Sequence, residues 1–197
     1  MDNEDLKSHE SDPFYRNWRE LIYPEKVEVD RESLTDCYGK FVCQPLERGY
    51  ATTIGNSLRR ILLSSIQGAA ITSVKIEGGL HEFSTLPGIL EDVTEIILNL
   101  KEVRLKLNAS GTKVVKIDKA QKGPVTAADI ITDGSVEIMN QDQHICTITG
   151  DGKFSIELEV KWGKGYSPAE KNKTEDQVIG VIPIDAIFTP IRKVKSI

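Results

Sequence analysis

Residues 50–77 read YATTIGNSLRRILLSSIQGAAITSVKIE, and the period of their apolar positions changes near the middle. Over residues 50–66 the apolar side chains recur every three to four positions, which predicts an amphipathic helix. Gly68 follows this stretch and is expected to end the helix as a left-handed cap. Residues 70–77 alternate and are rich in β-branched side chains, which is typical of a strand. The segment therefore predicts a helix followed directly by a strand.

The predicted helix has two different faces. A helical wheel groups five apolar side chains within an arc of about 140°; they are Ile54, Leu58, Ile61, Leu62 and Ile66. Burying all five is worth on the order of 10 kcal/mol as an upper estimate, so this arc is expected in a core or an interface. The opposite side carries Asn56, Arg60 and Leu63, with Arg59 on the flank. Gly55 costs about 1 kcal/mol relative to alanine inside a helix, which indicates close approach of a neighbour.

The two arginines of this helix allow two interpretations. Either Arg59 and Arg60 form an exposed pair with local salt bridges, or they belong to a docking face for a second protein. The second interpretation rests on the enrichment of arginine in interface cores and on its bidentate contacts to carboxylates and main-chain groups. Patterning alone leaves both open.

Strand patterns lie on both ends of the chain. Residues 26–45 alternate apolar and charged positions around a turn at 36–39, which predicts a β-hairpin. Residues 178–191 also have the composition of strands, but no partner follows them in the sequence. We expect this last segment to return and pair with residues 26–45.

The middle of the chain is β-rich and contains one further helix. Residues 87–100 repeat at helical spacing, and Ser84 or Thr85 is expected to cap that helix. Residues 114–162 alternate short strands with turn signals, and the last strand places five large side chains on one face; they are Phe154, Ile156, Leu158, Val160 and Trp162. Residues 161–176 are polar and rich in Gly, Pro and Lys, which predicts a loop.

This order of elements favours an α+β fold over a doubly wound α/β fold. Residues 1–13 carry five acidic residues and one lysine and have almost nothing apolar to bury, so they are predicted to be a disordered acidic tail. If the last segment returns to the first, residues 14–67 and 178–197 form one discontinuous domain. Residues 68–177 are then a β-rich subdomain inserted into it.

Composition excludes several classes of protein. The chain has 197 residues, is 39% hydrophobic and 28% charged, and contains neither an apolar run of membrane-spanning length nor a secretory signal. A cytoplasmic, soluble protein with no membrane contact is expected. The net charge of −5 argues against a surface that grips phosphate backbones along its whole length. The three cysteines, Cys37, Cys43 and Cys146, are too few and too dispersed for a disulfide framework.

Convergent reactive groups are missing from the sequence. It contains no phosphate-binding glycine loop, no C-x-x-C pair and no H-E-x-x-H motif. Cys37, Cys43, His144 and Cys146 are spaced unlike a zinc knuckle, and His81 beside Glu82 has no evident nucleophile. We therefore expect no catalytic residue, no metal and no cofactor on this chain.

Two motifs surround the start of the predicted helix, QPLERGY at 44–50 and TIGNSLRRILLSS at 53–65. They resemble the signature of the alpha subunit of bacterial DNA-directed RNA polymerase. Further similar stretches follow in the family's order, at residues 80–85, 88–93, 96–101, 123–130 and 163–166. The resemblance covers the chain from about residue 20 to its last residue.

The resemblance implies a non-catalytic assembly scaffold within a nucleotidyltransferase. In that family two N-terminal domains dimerise and recruit the beta and then the beta-prime subunit. Motif positions carry over six candidates for beta contact, namely Arg60, Arg59, Asn56, Leu63, Glu47 and Arg48. They carry over Tyr50, Ile54 and Ile61 for the dimer contact with a second alpha subunit, and Lys101, Ile184 and Asp185 for beta-prime contact. The discontinuous domain is accordingly expected to be the dimerisation and assembly domain.

The chain departs from the family pattern at its end. It stops at residue 197 within the returning segment, so the assembly domain is expected to be C-terminally incomplete. The long partner helix of the dimer contact and the C-terminal domain that binds promoter DNA in the family have no counterpart here, and DNA is expected only through the assembled enzyme. An alternative function is that of a truncated alpha paralogue that competes in polymerase assembly.

Overall fold

A computed structural model describes four stretches of the chain: residues 21–79, 81–150, 152–173 and 178–196. The chain divides into two compact units, one formed by residues 1–58 with 196–197 and the other by residues 59–195. The predicted acidic tail at residues 1–13 lies outside the described residues. The predicted domain boundaries at 67/68 and 177/178 remain a proposal.

The first unit begins with the predicted hairpin. Strands β1 (Val27–Val29) and β2 (Phe41–Cys43) pair antiparallel, and Asp30 N donates to Lys40 O at 3.0 Å just beyond the ladder. Val29 lies opposite Phe41 in this register, so the two side chains share one face of the hairpin. The prediction of a hairpin in residues 26–45 is confirmed.

Helix α1 (Tyr50–Ser64) confirms the first predicted helix. The division between the two units falls within it, after Leu58. None of the residues of α1 is buried.

The second unit is built on an antiparallel sheet of four strands, namely β3 (Gln67–Ile76), β5 (Lys113–Lys119), β9 (Phe154–Lys164) and β11 (Val181–Pro183). Their order across the sheet is β11-β3-β9-β5. Helix α2 (Val93–Lys101) lies against β8 (His144–Ile148), where Asn99 Nδ2 donates to Ile145 O at 2.9 Å. The remaining elements are β4 (Leu105–Leu107), β6 (Gly123–Thr126), β7 (Val136–Ile138), β10 (Tyr166–Ser167), α3 (Ala169–Asn172) and β12 (Ala186–Ile187).

Three small antiparallel ladders complete the second unit. They join β4 to β7, β6 to β8 and β10 to β12. With its helices and antiparallel sheets the chain has an α+β architecture, as predicted.

The core of the second unit follows from the alternation in β9. Four of its five large residues are buried on one face: Phe154, Ile156, Leu158 and Val160. The fifth, Trp162, is 47% exposed, and its Nε1 donates to Ala109 O at 3.2 Å. Helix α2 covers this core with the buried side chains Val93, Ile96, Ile97 and Leu100. The prediction of a half-buried strand is confirmed, although Trp162 lies outside the core.

Gly68 does not cap α1, contrary to the prediction. It lies within β3 without a positive φ, opposite Gly163 of β9. A Cβ on Gly68 would lie 1.9 Å from Phe188 O, and a Cβ on Gly163 would lie 2.6 Å from the Phe188 ring. The two glycines are needed because Phe188 passes over the sheet at van der Waals distance from bare backbone.

The second predicted helix begins later than expected. Asp92 caps α2 by accepting a hydrogen bond from Glu95 N at 2.7 Å, so neither Ser84 nor Thr85 is the cap. Residues 87–91 are not helical: residues 87–88 form a turn in which Gly88 has a φ of 77°, and Ile89 forms an antiparallel bridge with Ile148 of β8. Tertiary pairing has overridden the local helical pattern in this stretch.

The final segment does not pair with residues 26–45, contrary to the prediction. Its strand β11 pairs with the outer edge of β3, and β12 pairs with β10. The reason is burial: four apolar side chains of the segment are buried in the second unit, namely Ile182, Ile184, Ala186 and Phe188. The loop predicted at residues 161–176 is also wrong over its described part, which contains the end of β9, β10 and α3.

Candidate subunit interfaces

The apolar stripe of α1 is partly exposed. In the part of the chain that the structure describes, Tyr50 is 40% exposed, Leu58 52% and Ile61 54%, and the other apolar side chains of the predicted arc are half-buried, namely Ile54, Leu62 and Ile66. No side chain of the helix is fully buried, so the stripe is not the centre of a core. Exposed apolar side chains of this size cost free energy in water and are typical of a surface that another protein covers.

Both arginines of α1 are exposed. Among the described residues neither Arg59 nor Arg60 forms an ion pair, so the local salt bridges of the first interpretation are not seen. Asn56 is also exposed and Leu63 is half-buried. In the last turn of the helix, Ser64 Oγ donates to the main-chain oxygen of Arg60 at 2.6 Å.

Glu47 and Arg48, which precede α1, differ in their surroundings. Ile22 N donates to Glu47 Oε2 at 3.4 Å, and Glu47 N donates to Ile22 O at 3.1 Å. Glu47 O then accepts Tyr50 N at 3.0 Å at the start of the helix. Glu47 is therefore engaged within its own unit, whereas Arg48 is exposed.

Gly55 has the close neighbour that its presence in a helix predicted. A Cβ on Gly55 would lie 2.9 Å from Ser196 Cβ, and both residues belong to the first unit. The glycine is therefore required by packing inside this chain.

The three residues assigned to beta-prime contact come together in the second unit. Lys101 Nζ, at the end of α2, forms an ion pair with Asp185 Oδ1, 84 positions further along the chain. Both side chains remain partly accessible. Ile184 is buried, so its side chain anchors the segment in the core and does not form part of the surface. Beside this pair, Arg192 Nη2 contacts Glu102 Oε2 at 2.9 Å.

A group of hydrogen bonds around the Glu91 carboxylate connects the segment before α2 to β8. His144 Nε2 lies 2.8 Å from Glu91 Oε1, Thr147 N donates to Glu91 Oε2 at 2.6 Å, and Thr147 Oγ1 donates to Glu91 Oε1 at 3.1 Å. Burial raises the pKa of the Glu91 carboxyl, but the hydrogen bonds from His144 and Thr147 outweigh it and hold the pKa below its ordinary value of 4.5. The sequence predicted a helix over residues 87–100, which includes Glu91, and gave no sign of this cluster.

Glu91 predicts a loss of stability in acid. Because its pKa is lower in the folded chain than in the unfolded chain, its contribution is complete above about pH 4.5 and is lost as the pH falls through the folded pKa. Glu91→Gln should cost about 2 kcal/mol at pH 7 and flatten the acid limb of the stability curve. Urea unfolding of both proteins between pH 7 and pH 3 measures this.

Thr147→Val is the companion variant for that experiment, since it removes one hydroxyl donor and keeps the carboxylate. It should show a smaller loss at pH 7 and retain part of the acid dependence. Identical pH dependence for the wild-type chain and Glu91→Gln would show that this carboxylate is not coupled to folding.

The three cysteines are free thiols and differ in burial. Cys37 is exposed, Cys43 half-buried and Cys146 buried. Burial raises the pKa of the Cys146 thiol to about 12, with the negative charge of Glu91 acting in the same direction. Across the described ranges, no three His, Cys, Asp or Glu side chains are placed to hold a metal ion.

The helices in the described part of the chain include none with the length and apolar character needed to cross a membrane.

Comparison with known proteins adds independent evidence. Residues 74–189 match the family model described as the RNA polymerase Rpb3/RpoA insert domain. The DNA-directed RNA polymerase subunit alpha of Desulfotalea psychrophila is 62% identical over 94% of this chain and 54% of its own length. The subunits alpha of Geobacter metallireducens and Syntrophus aciditrophicus are 57% and 58% identical, each over 91% of this chain and 53% and 52% of their own lengths.

The chain thus spans about half the length of the curated relatives that it matches. The matched domain includes Lys101, Ile184 and Asp185, and the wider similarity covers nearly all of the chain. The chain belongs to the alpha-subunit family of DNA-directed RNA polymerase and carries its Rpb3/RpoA insert domain.

Proposed function

We propose that the chain acts in transcription as a non-catalytic scaffold that assembles RNA polymerase. The observation that carries this proposal is α1, a helix of 15 residues without one buried side chain. Part of its apolar stripe and both of its arginines are exposed, and a helix of this length is only marginally stable in water on its own. Partner proteins that cover both faces would supply the burial that the helix lacks within this chain.

The beta subunit is the partner proposed for the arginine face. Arginine forms bidentate bonds to carboxylates and main-chain oxygens and is enriched at energetically important interface positions. The contact is assigned to Arg60, with Arg59, Asn56 and Leu63 beside it on the helix and Arg48 before it. Glu47 is proposed to act indirectly, because its carboxylate and main chain hold residue 22 at the start of α1.

A second copy of the chain is the partner proposed for the apolar stripe. Tyr50, Ile54 and Ile61 would form the dimer contact. The dimerisation domain would comprise residues 14–67 and 178–197; its two parts meet where Ser196 packs on Gly55, while β11 and β12 pair with strands of the second unit. A symmetric interface between two copies uses the same patch on each, so the apolar stripe of each copy would be covered by the other copy. DNA would be reached only through the assembled enzyme.

Beta-prime is the partner proposed for the Lys101 and Asp185 pair. The two side chains are fixed by each other and partly exposed, so they present one positive and one negative group in a defined geometry. Arg192 and Glu102 extend the charged surface beside them. Such a pair favours recognition by a partner of complementary charge.

Light scattering with purified subunits tests the proposal. The chain alone, the chain with beta, and the chain with beta and beta-prime should give stepwise larger particles. If the mass of the chain does not increase on addition of beta, the scaffold function is contradicted. If all three subunits assemble but the complex does not transcribe, the competitor hypothesis is favoured.

Lys101→Ala and Asp185→Asn should each weaken binding of beta-prime to a preformed complex of the chain with beta. Each variant leaves its partner charge unpaired in a half-buried site, and a loss of about tenfold in affinity is expected. Surface plasmon resonance with immobilised complex measures the affinity. Lys106→Ala is the matched control, since Lys106 forms an exposed ion pair with Glu137 outside this cluster. Equal affinities for Lys101→Ala, Asp185→Asn and Lys106→Ala would contradict the assignment.

A further inference from the structure

A chain of two side-chain hydrogen bonds leads from β10 to the residue before Asp185. Ser167 Oγ donates to Asn172 Oδ1 at 2.9 Å, and Asn172 Nδ2 donates to Ile184 O at 2.7 Å. Asn172 is the last residue of α3 and is half-buried. Both bonds lie within the second unit.

The second bond acts on the peptide group that joins Ile184 to Asp185. Because a peptide group is planar, holding Ile184 O fixes the rotation of the whole plane and therefore the direction in which Asp185 leaves the main chain. On the other side of the residue, Ile184 N donates to Thr72 O at 3.0 Å. The main chain of Ile184 is thus held at both of its polar groups, and its side chain is buried.

Ser167 determines which end of the Asn172 amide points to Ile184. A carbonyl oxygen accepts hydrogen bonds only, so Ile184 O requires the amide NH₂. The Ser167 hydroxyl donates to the other end of the same amide and stabilises that orientation. An aspartate at position 172 has the same shape but cannot supply the donor.

We infer that Asn172 is a positioning residue for beta-prime binding: it holds the Ile184–Asp185 peptide so that the Asp185 carboxylate faces Lys101 and the incoming partner. The inference rests on the proposed beta-prime contact of Lys101 and Asp185. The Asn172 side chain bonds to the main chain of Ile184 and not to the ion pair itself, so it acts on Asp185 through the peptide group that joins the two residues.

The test measures the affinity of beta-prime for a preformed complex of the full chain with beta. Asn172→Ala and Asn172→Asp should each lower the affinity about tenfold, and Ser167→Ala should lower it less. Beta affinity should not change in any of the three. Amide hydrogen exchange of the chain should become faster in the peptide that covers residues 182–187.

Asn99→Ala is the matched control. Its amide also donates to a half-buried main-chain oxygen, that of Ile145, at 2.9 Å, but it holds a different strand. Asn99→Ala should lower the free energy of unfolding about as much as Asn172→Ala does, without the tenfold loss of beta-prime affinity. If Asn172→Asp binds beta-prime as well as wild type, or if Asn99→Ala loses as much as Asn172→Ala, the positioning role is overturned.

A double-mutant cycle separates this inference from the function on which it rests. If Asn172 acts through Asp185, adding Asn172→Ala to Asp185→Asn should cause no further loss of beta-prime affinity. Additive losses would overturn the inference and leave the proposed contact intact. Unchanged affinity in both Lys101→Ala and Asp185→Asn would overturn the proposed contact itself, and the positioning role with it.

Discussion

Arg60→Ala should abolish co-purification of this chain with beta and leave its circular dichroism spectrum unchanged. Arg60 is exposed on a helix in which nothing is buried, and its guanidinium has no ion-pair partner among the described residues. Removing it therefore costs the chain itself almost nothing. Losing an arginine from the centre of an interface typically costs at least about 2 kcal/mol, a factor of about 30 in affinity.

Two further variants make this prediction specific. Arg60→Lys keeps the charge but not the planar fork, so it should bind beta with intermediate affinity. Arg104→Ala removes an exposed arginine that lies outside α1, and it should bind beta as wild type does. Retention of beta by Arg60→Ala, or loss by Arg104→Ala of the same size, would argue against a guanidinium contact on α1.

Gly68→Ala should destabilise the second unit by at least about 3 kcal/mol. The added methyl carbon would lie 1.9 Å from Phe188 O, far inside contact distance, and the obstacle is main chain that has no rotamer to change. Phe188 N is itself bonded to Gly165 O at 2.8 Å, which limits how far this segment moves away. Chemical denaturation of the two proteins gives the difference in free energy of unfolding.

Gly111→Ala separates steric overlap from the general cost of losing a glycine. A Cβ on Gly111 would meet nothing within 4 Å, and its φ of 82° costs alanine about 1 kcal/mol. If Gly68→Ala costs no more than Gly111→Ala, Phe188 does not pack on the sheet as described. We also expect Gly68→Ala to weaken beta-prime binding. Displacing Phe188 would disturb Asp185, which lies three residues before it in the chain.

Much of the fold was predictable wherever the signal is local. The hairpin of β1 and β2, helix α1 and the buried face of β9 all rest on residues two to four positions apart, and the structure confirms each of them. Errors arose where one local pattern fits two structures. Residues 87–91 have helical spacing but form a turn and a bridge from Ile89 to β8, and Gly68 follows a helix but allows a close contact with Phe188.

The candidate interfaces divide in the same way. Arg60 and the apolar stripe stand out on a helical wheel, because every residue that matters lies within one element. Lys101 and Asp185 had no such signal: they were placed through family resemblance, and they are 84 positions apart. Asn172 lies in a stretch whose composition indicated a loop, so neither pattern nor resemblance pointed to it.

The sequence by itself determined which residues form α1, that its two faces differ chemically, and that the chain resembles the polymerase alpha family, because these properties depend on short-range periodicity and on ordered motifs. Only the tertiary structure decided that the apolar stripe stays partly exposed, that the last segment joins the edge of β3, and that Asn172 reaches the peptide before Asp185. The physical reason is that burial and hydrogen bonding between distant segments depend on which surfaces the folded chain brings together, and no local pattern contains that information.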